Sequence, residues 1–382
     1  MRQRAFRLLV GCGLLLALAA AAAGEAPRLS IVKGPYLQNV TTDAITVMWE
    51  TSAPSDSRVE YGATSCADAT ARDAAPVTVH EVRLTGLDTD ARYHYRVVSE
   101  APPESVTSAD HTFQTAVAPT ATAFRFAVYG DTRSQPAVHA EVVKAIIASK
   151  PRFVLHTGDL VRDGTKQSYW QTDFFDPAAP LMADTVVFPV LGNHEGNSAL
   201  YYQYFAVPAG GGDHYERWYS FTYGNAKFIG IDTEADFAPG SVQYAWLVTE
   251  LQNSTSRWLF VFQHVPAYSS GGHGGSKEVQ DSLVPLYERY GVDVVFCGHD
   301  HLYERSEKSG VQYVVTGGGG APLYRPNMSP NPRQVRAAFR YHYCVVDING
   351  DTAVLTAMGT EGKSFDHVTL THAGRKAPAG VR

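Results

Sequence analysis

Cysteine is scarce, with four residues in a chain of 382, at positions 12, 66, 297 and 344. Once the first two dozen residues are set aside an odd three remain, so no framework of paired disulfides is implied. Cys297 and Cys344 both lie in apolar, strand-like runs. Buried thiols are expected there, with a bridge between the two left open. Charge is thin as well: 18% of residues are charged against 45% hydrophobic, and the formal net charge is −6. This composition supplies a sizeable core and argues against disorder. The body has no basic run, so no nucleic-acid-coating surface is expected, although a small phosphorylated partner needs only a local positive site. There is no internal repeat and no long low-complexity segment. Beyond the amino terminus no transmembrane segment is expected.

The amino terminus itself reads as a secretory signal over residues 1–24. Met1-Arg2-Gln3-Arg4 and Arg7 give a basic start, Leu8 to Ala23 an apolar stretch, and Ala21-Ala22-Ala23-Gly24 a small-residue cleavage site. An uncleaved anchor is the alternative, but the apolar run is short for a full span. Leu9-Val10-Gly11-Cys12 has the form of a lipoprotein box, with too little apolar sequence ahead of Cys12 to serve as a signal core. Export, to a periplasm or to the outside, is the expectation.

Residues 28–117 read as all-β. Ala44 to Glu50, Arg58 to Tyr61, Thr78 to Leu84, Tyr93 to Val98 and His111 to Thr115 are short alternating segments with turn residues between them, the pattern of a β-sandwich. Leu84, Leu87 and Tyr93 have the spacing of a tyrosine-corner strand pair, and the segment resembles a fibronectin type III-like module. It gathers no metal ligands and no nucleophile. After a linker rich in Ala, Pro and Thr, residues 123–367 alternate strands and helices. Helices are expected over Ala137 to Ser149, with Val138, Val142, Val143, Ile146 and Ile147 on one face, over Gln243 to Leu251 and over Lys277 to Tyr290. Many strands have no helix between them, so two packed sheets are expected rather than one. Arg325 to Arg336 reads as an irregular loop.

The chemistry gathers where apolar runs end. Five such runs are followed by Gly130-Asp131-Thr132-Arg133, Gly158-Asp159, Gly192-Asn193-His194-Glu195, Gln263-His264 and Gly298-His299-Asp300-His301. Loops at the carboxyl ends of strands in an α/β sheet face one crevice. Any one cluster has an ordinary structural explanation, since Asp and Asn after Gly make turns. Together they bring carboxylates, an amide and imidazoles to one place, a mixture that suits Zn, Mn, Fe or Mg.

The order Asp, Gly-Asp, Gly-Asn-His-Glu, His, Gly-His-x-His resembles the calcineurin-like metallophosphoesterase superfamily. Gly298-His299-Asp300-His301-Leu302-Tyr303-Glu304-Arg305 and the leading β-sandwich look most like its purple acid phosphatases, over residues 28–367. The resemblance implies a two-metal centre of divalent or mixed-valence ions. Asp159 would bridge them, Asp131 and His301 would complete one side, and Asn193, His264 and His299 the other. Such ions hold a hydroxide for in-line attack on phosphorus. His194 would lie beside the phosphoryl or leaving group as a proton donor, with Glu195 available to orient it.

Two positions depart from the pattern. The group's tyrosine ligand, three residues after the bridging Asp, is Arg162 here, and the superfamily's frequent His two residues after the first Asp is Arg133. Without a tyrosinate there is no basis for the purple charge-transfer colour, and the case for ferric iron weakens. Arg133 is a candidate phosphate contact, because a guanidinium matches phosphate bidentately. For Arg162 a solvated side chain or a salt bridge to a nearby Asp is favoured over a functional role. His273, in the glycine-rich stretch Ser269 to Gly275, is by position similar to the group's substrate-contacting histidines, with a mobile surface histidine as the equal alternative. The expected function is a secreted phosphatase acting on phosphate monoesters. The alternatives are a phosphodiesterase or nucleotidase using the same site, and a non-catalytic binding protein with a degenerate one.

Overall fold

The structure is a computed structural model that describes residues 28–324 and 330–372. The expected signal at 1–24 lies outside them, as does part of the loop expected at 325–336.

The first sheet has six strands, from Ile31–Gln38 to His111–Gln114. Its spine is longer than the sequence pattern shows. Ala44–Gly62 and Ala69–Thr85 each run through what reads as separate segments. Their register shifts between Glu50 and Ser55 and again between Ser55 and Ser57. Such bulges bend a strand and interrupt its alternation. The first half of Ala44–Gly62 therefore pairs with Ile31–Gln38 and the second half with Arg92–Ala101. Ile45, Val47 and Trp49 from one half share a buried cluster with Val59 from the other and with Tyr95 and Val97 of Arg92–Ala101. The Tyr93 hydroxyl accepts the Asp88 N–H at 2.9 Å, the local bond that the Leu84–Leu87–Tyr93 spacing foreshadows.

Two further sheets follow. In one, Ala123–Tyr129, Phe153–His156 and Val186–Pro189 run parallel, extended by the antiparallel strands His342–Asn349, Thr352–Gly359 and Ser364–Thr371. In the other, Ala226–Gly230, Trp258–Phe262, Val294–Cys297 and Val311–Thr316 run parallel. The two sheets face each other over aromatic rings: Phe126 lies 5.0 Å from Phe228 and 5.1 Å from Phe260, and Phe153 lies 5.1 Å from Phe228. The alternate residues Ile229, Val261, Val295 and Cys297 point away, into a second cluster under the helices Val242–Gln252 and Val284–Tyr290. Strands covered on both faces read as unbroken apolar runs, which is why these segments stand out in the sequence. Truncating Phe126 at this meeting point should cost about 3–5 kcal/mol.

Local departures have local causes. The helix expected over Lys277 to Tyr290 is two helices, Lys277–Ser282 and Val284–Tyr290, because Pro285 cannot donate a backbone hydrogen bond and starts a new first turn. On Pro136–Ser149 the buried face holds His139, Val142, Val143, Ala145 and Ile146, while Ile147 is exposed. Gln334–Ala338 is an edge strand on Tyr303–Lys308, where a loop is expected. Cys66, Cys297 and Cys344 are free, buried thiols.

The β-rich unit is bonded to the α/β unit. The Tyr36 hydroxyl donates to the Tyr204 carbonyl at 2.9 Å and the Tyr95 hydroxyl to that of Ala183 at 2.6 Å. The Lys33 ammonium, paired with Glu50, sits 4.1 Å from the centre of the Tyr204 ring. Among the described residues no helix is long and apolar enough to cross a membrane.

Candidate metal centre

Parallel strands end at Tyr129, His156, Pro189, Phe262 and Cys297, and the five polar clusters begin just beyond. The backbone there is tightly constrained. Asp131, Asp159 and His299 all have positive φ, at 57°, 56° and 72°. Non-glycine residues rarely take this conformation, and it persists only where the surroundings over-determine it. Close packing supplies that constraint. A Cβ on Gly298 would fall 2.4 Å from Asp131 Oδ2, and one on Gly192 would fall 2.4 Å from Asp159 Oδ1. Glu195 holds the turns from below: its carboxylate accepts N–H bonds from Asp159 (2.9 Å), Gly192 (2.8 Å) and Val161 (3.2 Å). It does not orient His194, as the sequence suggests. The Arg162 carbonyl does, 2.8 Å from His194 Nδ1.

The structure brings Asp131, Asp159, Asn193, His264, His299 and His301 together. Four donor atoms converge most closely. His264 Nε2 lies 3.3 Å from Asp159 Oδ1, 3.0 Å from Asn193 Oδ1 and 3.2 Å from His299 Nδ1, and His299 Nδ1 lies 3.0 Å from Asn193 Oδ1. Atoms bound about 2.1 Å from one ion stand roughly 3.0–3.4 Å apart at octahedral to tetrahedral angles. His264 Nδ1 faces the Thr157 carbonyl at 2.9 Å, so in the neutral ring that nitrogen carries the hydrogen and Nε2 is a lone pair aimed at two oxygens. Bare lone pairs directed at one another repel unless a cation lies between them. This donor set fits a divalent ion. Asp131, Asp159 and His264 also offer ligand atoms within 4.8 Å of one another.

The electrostatics have the same requirement. Burial and the neighbouring Asp159 charge push the Asp131 carboxyl well up from its usual range. Burial opposes ionisation of Asp159 too, yet His264, His194 and Arg133 together hold it below the ordinary value. His299 is depressed to about 3 and His301 to about 4, chiefly by burial. Both are thus neutral, the form that ligates metals.

His194 turns Nε2 toward the centre, 3.8 Å from Asp159 Oδ2, and its ring reaches solvent. Arg162 is fully engaged by Asp173, with contacts of 2.8 and 2.6 Å, and lies over the Tyr169 ring. Arg133 turns inward: Nε donates to Asp159 Oδ2 at 3.1 Å, and a terminal nitrogen lies 3.3 Å from His301 Nε2. His273 packs on His299 with ring centres 4.2 Å apart, and its N–H is held by Asp300 at 2.9 Å.

Two participants escape the sequence reading. Asp300, inside the His-x-His pair, fastens the Ser269–His273 loop by accepting from Ser269 Oγ and from the His273 N–H. Tyr324 stacks on His301 at 4.1 Å and meets His273 Nε2 through its hydroxyl at 3.1 Å. The signal for Tyr324 is Gly317 to Gly320, a further cluster directly after a parallel strand. Those glycines let the strap run against the Asp131 turn, where Gly319 and Ala321 donate to the Gly130 and Asp131 carbonyls.

The two-sheet α/β body thus gathers carboxylate, amide and imidazole donors at its strand ends. Residues 124–303 match the calcineurin-like phosphoesterase family and residues 34–115 match the purple acid phosphatase N-terminal domain. The chain therefore carries a calcineurin-like phosphoesterase domain joined to the N-terminal domain of the purple acid phosphatases. It is 27% identical to acid phosphatase type 7 of Danio rerio, over 91% of each chain. It is 30% identical to an uncharacterised protein of Mycobacterium tuberculosis, over 62% of this chain and 52% of that one. The chain spans about half the length of several curated relatives it matches. The yellow lupin purple acid phosphatase PPD1 shares the fold, with a TM-score of 0.77 and 20% identity over 88% of this chain and 74% of that one.

Proposed function

We propose that the chain is an exported phosphatase that hydrolyses phosphate monoesters by in-line displacement at this centre. The observation that carries the reading is the convergence of Asp159, Asn193, His264 and His299 on one point, with the His194 imidazole and the Arg133 guanidinium beside it. Divalent ions held by such residues lower the pKa of water and screen phosphoryl charge. The roles below belong to the protein's own groups.

His194 Nδ1 is occupied by the Arg162 carbonyl, so Nε2 is the atom that exchanges a proton with the ester oxygen. Arg133, half-buried against Asp159, is placed to offer N–H groups to phosphoryl oxygens. Asp300 fixes the backbone of His273, and Tyr324 fixes its ring, at the rim of the centre. The substrate is a small phosphorylated molecule. The β-rich segment, which we assign to residues 28–117 beside an α/β domain of residues 123–367, supplies none of these groups. Its part is to buttress the Phe175–Tyr204 region through Tyr36 and Lys33.

The test is metal analysis of the purified protein, with phosphate release from an aryl monoester, an aryl diester and a nucleotide before and after chelation. The reading expects bound metal, loss of activity on chelation, and a preference for the monoester. Preference for the diester or nucleotide would move the assignment to a phosphodiesterase or nucleotidase. A protein with neither metal nor hydrolysis would be a binding protein instead.

A further inference from the structure

The two halves of the centre do not fit metal equally well. We infer that the guanidinium of Arg133 takes the place of the first metal ion, so that the loaded protein holds one ion where its relatives' pattern implies two. This rests on the metal-centre reading above and concerns its stoichiometry.

The argument begins with protons. His301 Nδ1 faces the Pro322 carbonyl at 2.7 Å, so that nitrogen carries the hydrogen and Nε2 is the bare lone pair. On the resemblance to its family, this lone pair is the one that would bind the first ion. It instead accepts from a terminal nitrogen of Arg133 at 3.3 Å. Asp159 Oδ2, the bridging residue's oxygen on that side, accepts from Arg133 Nε at 3.1 Å. The third member, Asp131, lies with Oδ1 3.6 Å from His301 Nε2 and is otherwise bonded to the His299 N–H at 3.0 and 3.1 Å. One cation thus spans two of the three residues that would hold a first ion, and it is covalently attached to the chain.

The side chain is well enclosed, with 16% of Arg133 and 2% of Asp159 exposed. Its guanidinium balances the carboxylates and presents a planar fork of donors. It offers no open coordination position. The other half has no such occupant. Its four donors face one another, and no side-chain cation among the described residues is bonded between them. Both sequence departures fall on the same side: the expected imidazole position is Arg133 itself, and the expected tyrosine position is Arg162, which Asp173 removes from the centre.

The experiment is stoichiometry. The full-length protein and an Arg133→His variant are saturated with Mn²⁺, freed of excess by gel filtration, and analysed for metal per chain. The inference expects about one ion in the native protein and about two in the variant, a roughly twofold rise as an imidazole replaces the cation. Electron paramagnetic resonance of the Mn²⁺-loaded native protein needs no folded variant. It should show the hyperfine pattern of an isolated ion, and a spin-coupled pair would overturn the inference. Native protein holding about two ions, or a folded Arg133→His protein remaining at one, would overturn it as well. Native protein that binds no Mn²⁺ would overturn the metal centre itself, and this inference with it, a result distinct from a count of two.

Discussion

The two sides of the centre both set imidazoles beside the shared Asp159 and reach opposite states. On the side of Asn193, His264 and His299, the donor atoms lie 3.0–3.2 Å apart and one ring has its proton fixed elsewhere, on Thr157. On the side of Asp131 and His301, an arginine has entered. The difference teaches that a ligand set is defined by what stands between its atoms as much as by the atoms themselves. His301 has a bare nitrogen as His264 does. The neighbours decide whether that lone pair faces oxygen lone pairs, which demand a cation, or an N–H group, which satisfies it.

The comparison breaks most severely at Asp159, because that carboxylate serves both sides. Asp159→Ala should lose bound metal and lower turnover by roughly 10³-fold or more, and metal analysis beside aryl phosphate hydrolysis reads both. Retained metal would refute the assignment of its oxygens. His194→Ala is the next largest. Its ring contributes proton transfer without joining the four converging donors, so kcat should fall roughly 10²-fold or more while metal content stays normal. Loss of metal in that variant would make the His194 ring a ligand or a support of the centre, since alanine keeps the backbone N–H that donates to Asp159 at 3.1 Å.

What separates the sides was partly legible in the sequence. The residue types and their places after apolar runs are a strand-end pattern, and parallel strands buried on both faces make that pattern plain. Arg133 and Arg162 stand out because they replace expected ligands. Where their side chains go is not readable: Asp173 is eleven residues from Arg162 and His301 is 168 from Arg133, and no spacing rule joins them. Glu195 misleads for a related reason. It neighbours His194 in sequence, yet its side chain points back into the turn and satisfies three N–H groups there. The doubled length of Ala44–Gly62 was hidden because bulges break the alternation that marks a strand. Pro285 marks the break in the sequence, but the apolar periodicity on both sides of it reads as one helix.

Acid sharpens the comparison by titrating one imidazole from each side. Burial lowers His301 to about 4, against an ordinary value near 6.5. Below about pH 6.5 the unfolded chain takes up a proton that the folded ring refuses, so the stability present above that pH is lost as pH falls toward 4. For the metal-free protein the loss from His301 is on the order of 3 kcal/mol. Urea unfolding across that range should show it, and His301→Gln should flatten the slope. His299, lowered to about 3, acts in the same direction. If the ion sits only on the His299 side, metal loading steepens the acid dependence through His299, because protonation now also releases the ion, while the His301 contribution is unchanged. Metal loading that altered the His301 contribution would place an ion on both sides.

The finest test lies where the sides meet. Tyr324 stacks on His301, His273 packs on His299, and a 3.1 Å hydrogen bond joins them across the opening. Tyr324→Phe keeps the stack and removes the bond. A single hydrogen bond of this kind is worth about 1 kcal/mol, so kcat/KM for an aryl monoester should fall only several-fold. The loss should be smaller for a diester, because an alkylated oxygen replaces one that these donors would contact, and an unpaired donor is the costlier arrangement. The double variant Tyr324→Phe with His273→Ala should then lose no more than His273→Ala alone, since both changes remove one shared contact. Additive losses would show the two side chains acting separately. A fall of two orders of magnitude in Tyr324→Phe would mean that the phenol oxygen itself serves the first side, standing in for the tyrosine that Arg162 displaced.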